Sequence, residues 1–140
     1  MKVGAISNGV VIDHITAGKG MELYHFLNLD QMDAPIALIK NAPSNKMGKK
    51  DIIKIDDAEL KLDLDALGYI DPNVTINVVK DGTCVEKFHP QLPEKLTNII
   101  HCKNPRCITS VEQEIPHIFK LTNRETGEYR CIYCESKARD

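Results

Sequence analysis

The segments Cys102-Lys103-Asn104-Pro105-Arg106-Cys107 and Cys131-Ile132-Tyr133-Cys134, separated by 23 residues, decide how the last part of this chain folds. Each short spacing lets one tight loop present two thiolates to a single metal ion, and the two loops together close a tetrahedron. A segment of about forty residues buries too little apolar surface to fold alone, and a bound metal is the usual remedy. The pattern therefore predicts one zinc ion per chain, held by Cys102, Cys107, Cys131 and Cys134.

Four sulfur ligands leave no position for water or substrate, so this zinc is expected to be structural and not catalytic. Two other interpretations stay open: an iron–sulfur cluster, and four reduced cysteines that bind nothing. The even two-plus-two arrangement favours zinc. Between the two pairs, residues 108–121 and 127–134 are predicted to be strands around a turn at 123–127, which together make a zinc-bound β-ribbon. The fifth cysteine, Cys84, stands apart and is expected to be a small packed residue.

Composition is that of a soluble globular protein, with 42% hydrophobic and 27% charged residues among 140. The net charge of −2 gives no electrostatic reason to expect nucleic acid or an anionic membrane as a partner. The first residues lack the apolar stretch of a signal peptide, and no run approaches the roughly 18 apolar residues of a membrane span. We therefore expect a cytoplasmic protein, in whose reducing surroundings clustered cysteines are more often metal ligands than disulfides.

The first ninety residues alternate between strand and helix signals. Residues 57–69 are ambiguous, because 59–64 alternate like a strand while Leu60, Leu64 and Leu67 have helical spacing; a helix ending near Gly68 is favoured. Further predictions are a turn at 7–9 between two short β-branched runs, a helix at 18–29 with Thr16 as N-cap, an apolar run at 34–39, a loop at 41–48, a strand at 50–55, and a hairpin of 74–79 with 84–88 across Lys80-Asp81-Gly82-Thr83.

This order of elements predicts an α+β protein whose N-terminal domain is a two-layer α/β sandwich resembling the ferredoxin-like fold. The closely spaced prolines between His89 and Pro93 interrupt both periodicities and are typical of a linker. We expect an N-terminal domain at residues 1–92 and a zinc domain at 98–140.

Chemical signals in the first domain are weak when taken alone, since the common glycine-rich phosphate loops are absent from the sequence. Lys50 and Lys54 would share one face of a strand, and Lys87 could approach them from a neighbouring strand. Three such lysines could bind phosphates, but a solvated charged face is the more common outcome.

Five features occur in order along nearly the whole chain: Val11-Ile12-Asp13-His14-Ile15, the segment 47–55, Thr75-Ile76-Asn77, Leu92-Pro93-Glu94 and the four-cysteine pattern. Together they resemble the regulatory chain of aspartate carbamoyltransferase. The resemblance implies a non-catalytic subunit with a nucleotide-binding domain followed by a zinc domain. It also implies dimers of regulatory chains that bridge catalytic chains of the enzyme in a hetero-oligomer. CTP and ATP would act as effectors, and the role would be allosteric control of pyrimidine biosynthesis.

Carried over by position, the resemblance assigns the ribose to Asp13 and Lys54, and the phosphates to His14, Lys50 and Lys87. The base would be read by backbone groups around Ala5, Ile6 and Gly82, with Val11 and Asn77 lining the pocket. In the zinc domain, Asn104 and Glu135 would contact the catalytic chain. Gly4 and Gly82 stand where the family often has larger side chains, so base preference is left open.

Two other classes of function are compatible with parts of the sequence. A zinc-ribbon nucleic-acid binder is the alternative, although the near-zero net charge favours docking to protein. A zinc hydrolase or deaminase needs an open metal site and a nearby carboxylate, often as H-x-E, and the sequence has no H-x-E.

Overall fold

The computed structural model describes residues 7–138, so the predictions for Gly4, Ala5 and Ile6 lie outside the described residues. The chain divides after Gln91 into two compact units. The first unit contains β1 (Gly9–Thr16), α1 (Gly20–Phe26), a 3-10 helix (Leu29–Gln31), β2 (Ile36–Ser44), β3 (Gly48–Ile55), α2 (Leu64–Ile70), β4 (Thr75–Lys80) and β5 (Thr83–Phe88).

The five strands of the first unit form one antiparallel sheet in the order β2-β3-β1-β4-β5. The first four strands of this sheet and the two helices follow the βαββαβ order and the strand arrangement of a ferredoxin-like sandwich, with β5 added at one edge. The α+β fold class predicted from the sequence is confirmed. Ile12, Ile53 and Ile76 lie on the buried face, and with Leu23 of α1 and Leu67 of α2 they form an aliphatic core.

A buried carboxylate holds the start of α1 against the sheet. Asp51 is fully buried on β3, and its two oxygens accept backbone N–H groups of Gly18, Gly20 and Asn41 at 2.9–3.1 Å. Buried charges are tolerated when hydrogen bonds compensate for the lost water, which these three bonds do. Asp51 therefore ties α1 and β2 to β3 in one arrangement.

Three local predictions for the first unit were wrong. The helix begins at Gly20 and ends at Phe26, and Thr16 is the last residue of β1, not an N-cap. Strand β2 runs through Ser44 into the segment predicted as a loop, because β3 offers it backbone partners as far as Gly48. Residues before Leu64 are not helical, since the Asp63 side chain caps α2 by accepting from Ala66 N–H at 3.1 Å.

The hairpin of β4 and β5 was predicted correctly. Asp81 and Gly82 connect the strands with φ angles of 52° and 77°. Two successive positive φ values match the right-handed twist of the strands. Gly82 adopts its positive φ without strain, because it has no Cβ.

The second unit contains β6 (Lys95–Thr97), α3 (Ile108–Val111), β7 (Ile118–Asn123) and β8 (Glu128–Cys131), with sheet order β6-β7-β8. The predicted ribbon is present as β7 and β8. Residues 108–111 are a helical turn, where a strand was predicted. Strand β6 precedes residue 98, at which the sequence placed the start of the zinc domain. Within residues 7–138, no helix is long and apolar enough to cross a membrane.

Candidate functional site

The four cysteines of the second unit meet at one point. Their Sγ atoms all lie within 4.8 Å of one another, with Cys102 to Cys134 at 3.5 Å and Cys107 to Cys131 at 3.7 Å. A tetrahedron with zinc–sulfur bonds of about 2.3 Å has edges of about 3.8 Å, so the cluster has the dimensions that zinc requires. The donor set of four thiolates fits a closed, structural zinc site.

Neighbouring groups set the protonation of these thiols. The Thr109 hydroxyl donates to Cys107 Sγ at 3.1 Å and lowers the pKa of that thiol. Hydrogen bonds from Ser136 lower the pKa of Cys134 to about 6. Burial raises the pKa of Cys102 to about 12 and also raises the pKa of Cys131. Metal binding must therefore displace protons from the latter two thiols, which makes affinity for the ion depend on pH.

The two residues assigned to partner contact flank these ligands. The Asn104 side chain accepts Arg106 N–H at 3.0 Å and donates to Ser136 Oγ at 3.4 Å, so both of its ends are used inside the unit. Glu135 has a φ of 63°, and its side chain is exposed beside the second cysteine pair. Of the two, Glu135 is the one whose side-chain carboxylate is exposed to solvent.

Four of the predicted nucleotide residues lie in one row across the first sheet. Val11 on β1 is directly opposite Lys54 on β3 and Asn77 on β4, and Asn77 is directly opposite Lys87 on β5. They occupy the face that points away from Ile12 and the helices, which we call the open face. Three strand spacings of about 4.8 Å place the two lysines about 14 Å apart. Among the ion pairs of residues 7–138, neither lysine takes part.

Asp13, Lys50 and His14 lie together near the end of the same face. Lys50 Nζ is 3.0 Å from Asp13 Oδ1, which also accepts the His14 N–H at 2.7 Å. Burial raises the pKa of Asp13, but the hydrogen bonds from Lys50 and His14 outweigh it, and the pKa lies below its usual value. His14 has a φ of 58° at a bulge in β1, and its Nδ1 is 3.1 Å from Thr75 Oγ1. Lys50 thus already has a carboxylate partner.

Gly82 sits at the other end of the open face, in the β4–β5 turn, where its N–H donates to Ser7 O at 2.8 Å. Cys84 follows it on β5 and was wrongly predicted to be packed, because it is exposed. Its thiol is 3.8 Å from Asn77 Oδ1, on the open face. The apolar residues that flank Cys84 in the sequence suggested burial. However, β5 is an edge strand with five exposed residues in a row.

The second unit carries a row of cations that the sequence analysis missed. Lys95 pairs with Lys120, Lys120 with Arg130 and Arg130 with Lys137 across β6, β7 and β8. Glu128 neutralises part of this charge, at 3.5 Å from Arg130 and 3.3 Å from Lys137. Leu96, Phe119 and Tyr129 lie buried on the other face. Alternation within each strand could have indicated the exposed cations, but the register that aligns them is not visible in the sequence.

Two family descriptions match the chain in order. The allosteric domain of the aspartate carbamoyltransferase regulatory chain matches residues 1–91, and the metal binding domain of the same chain matches residues 94–140. Together they span nearly every residue, and they correspond to the two structural units.

Curated relatives carry the same description, "Aspartate carbamoyltransferase regulatory chain". The protein from Clostridium tetani is 47% identical over 135 residues, covering 96% of this chain and 94% of the relative. The protein from Clostridium botulinum strain Hall is 50% identical, covering 96% and 92%. That from Bifidobacterium longum is 44% identical over 139 residues, covering 99% of each.

Proposed function

This chain belongs to the family of aspartate carbamoyltransferase regulatory chains, and we propose that it binds CTP and ATP on the open face of its first unit and docks to catalytic chains through its zinc unit. In this role it has no carbamoyl transfer of its own and passes the nucleotide signal to a partner, which places it in the control of pyrimidine biosynthesis. A cluster of four thiolate ligands suits a reducing compartment such as the cytoplasm.

The observation that carries the nucleotide proposal is the row formed by Lys54, Val11, Asn77 and Lys87. An apolar side chain and an amide at the centre, with a cation at each end, provide a surface for a ribose and base between charged contacts. Charge-assisted hydrogen bonds from such cations to phosphate are stronger than neutral ones. Because the two lysines have no ion-pair partner in residues 7–138, they are available to a ligand.

At the end of the open face, Asp13 is suited to accept hydrogen bonds from ribose hydroxyls, since it is ionised and held in place by Lys50. His14 and Lys50 lie beside it and are assigned to phosphate. At the opposite end, the base is assigned to main-chain groups around Gly82, Ala5 and Ile6, although the N–H of Gly82 itself is bonded to Ser7 O.

The docking proposal rests on apolar side chains that surround the metal site. Val111 is 66% exposed, and Ile108, Ile132 and Tyr133 are more than 40% exposed. Ile108 and Val111 belong to α3, which directly follows Cys107, and Ile132 and Tyr133 lie between Cys131 and Cys134, so each is close in the chain to a metal ligand. Large exposed apolar side chains of this kind are suited to protein–protein contact when they form one patch. Glu135, exposed beside them, would add a polar contact at the rim.

Self-association is the third part of the proposal. Strand β2 is at the edge of the first sheet and pairs only with β3 among the described strands. Before its bulge, residues 36–39 form a regular stretch of this edge, and an edge strand readily pairs with another strand. A homodimer of regulatory chains within the hetero-oligomer would use this edge.

Nucleic-acid binding is the second candidate function, and the cation row of Lys95, Lys120, Arg130 and Lys137 is the observation that favours it. Cations in this arrangement attract any polyanion, including an acidic protein surface. No exposed aromatic residue lies in the row to stack on a base, which favours protein over single-stranded nucleic acid.

The experiment that tests the proposal is a calorimetric titration of the full chain with CTP and ATP, alone and in competition. One shared site per chain is expected, and failure of both nucleotides to bind would overturn the nucleotide role. A parallel titration with a random oligonucleotide at two salt concentrations tests the second candidate, for which affinity must fall steeply as salt rises.

A further inference from the structure

A cavity of 340 Å³ lies at one end of the first sheet, where β1 and β5 finish and β3 and β4 begin. It is lined by two histidines, one lysine and three uncharged residues: His14, Lys46, Met47, Pro72, Asn73 and His89. None of these six described residues is acidic, whereas three of them can carry positive charge. The cavity is thus suited to an anion.

The two histidines are held in fixed positions by hydrogen bonds through Nδ1. His89 Nδ1 is 3.0 Å from Val74 O, and because a carbonyl oxygen only accepts, Nδ1 carries the proton. His89 Nε2 is therefore the nitrogen left for a ligand, and it donates to an anion when the ring is protonated. His14 is held at a positive φ and reaches Thr75 Oγ1. Backbone strain of this kind is found preferentially at ligand sites.

The cavity shares His14 with the group of residues assigned to phosphate at the end of the open face. His14 lines the cavity, and its N–H is bonded to Asp13, which in turn pairs with Lys50. Lys46 lies in the β2–β3 turn, four residues before Lys50, and its side chain is exposed. Because His14 belongs to both, a phosphate bound by His14 would lie at the lining of this cavity.

We propose that the cavity takes the terminal phosphate of a nucleoside triphosphate, with Lys46 and His89 as the residues that distinguish triphosphates from diphosphates. This inference rests on the proposed function, because it places the rest of the nucleotide on the open face. Lys46 and His89 would not touch a diphosphate, so their removal affects triphosphates selectively.

The test is calorimetric titration of the full chain with CTP and with CDP, for the wild type, Lys46→Ala, His89→Asn and the double variant. Asparagine places an amide near the position of Nδ1, so it keeps the bond to Val74 O and removes only Nε2. Each single change is expected to weaken CTP binding roughly tenfold or more, as the loss of a charge-assisted bond does. CDP affinity should stay as in the wild type, and the double variant should bind both nucleotides about equally.

Lys49→Ala is the matched control, because Lys49 is an exposed lysine close to the same turn that does not line the cavity. Its affinity for CTP should be unchanged. Equal weakening of CTP and CDP in the cavity variants, or no weakening of either, would overturn the terminal-phosphate role while nucleotide binding itself stands. A wild type that binds neither nucleotide would instead overturn the proposed function, and the cavity assignment with it.

Discussion

Removal of either cation at the ends of the open-face row, Lys54 or Lys87, should weaken nucleotide binding, and the exposure of each lysine predicts how strongly salt changes that loss. Lys54→Ala and Lys87→Ala each delete one charge-assisted hydrogen bond, which is worth about 1.5–3 kcal/mol, or roughly ten- to a hundredfold in Kd. Lys87 is exposed and Lys54 is half-buried, so water and salt screen Lys87 more. The loss at Lys87 should therefore be the smaller one and should shrink further at high salt.

The distance between the two lysines predicts the behaviour of the double variant. They lie about 14 Å apart by strand spacing, so they contact different groups of the same nucleotide. The double variant should therefore bind CTP more weakly than either single variant. Calorimetry with CTP at low and at high salt measures all three variants.

The control is Lys80→Ala, which removes the same charge from the end of the same hairpin. Lys80 follows Ile76 and Val78 in alternation and so lies on the side of the sheet opposite Asn77. It should bind CTP as the wild type does. Unchanged affinity in both row variants, or an equal loss in Lys80→Ala, would refute the assignment of the open face.

Further predictions concern the metal and the folding of each unit. Cys→Ser at Cys102, Cys107, Cys131 or Cys134 should abolish the single equivalent of zinc found by elemental analysis and make the second unit sensitive to protease, whereas Cys84→Ser should leave zinc content unchanged. Asp51→Asn should cost about 1–3 kcal/mol, because one backbone N–H that bonds the buried carboxylate then faces an amide donor, and calorimetry should show a lower Tm. Asp33→Asn, at an exposed carboxylate, should leave Tm unchanged. A protease-resistant second unit without metal, or equal Tm values for the two aspartate variants, would contradict these accounts.

The features best predicted from the sequence were those fixed by short spacing. The cysteine pairs lie in tight loops, and the Asp81-Gly82 turn has a backbone requirement that few residues meet, so both were found without knowledge of the rest of the fold. The ferredoxin-like layers followed from the order of elements and are confirmed.

The features that were missed depend on partners distant in the chain. Residues 41–44 look like a loop by composition, yet they form part of β2 because β3 supplies hydrogen-bond partners. Thr16 has the side chain of an N-cap but is the last residue of β1. Its pairing with Lys50 of β3 outweighs the local preference of threonine for a helix start. The cavity beside His14 and the cation row through Lys120 arise from register and bulges, which hydrophobic alternation does not specify.

The proposed function requires that this chain pass a nucleotide signal to a catalytic partner through its second, zinc-binding unit. The decisive experiment mixes the zinc-loaded chain with isolated catalytic chains of aspartate carbamoyltransferase and records aspartate saturation with and without CTP or ATP. We expect a complex of higher mass whose saturation curve is shifted by nucleotide, by a coupling of typically ~1–3 kcal/mol, and whose assembly is lost when zinc is removed. A complex that forms equally well without zinc, or one whose saturation curve neither nucleotide moves, would contradict it.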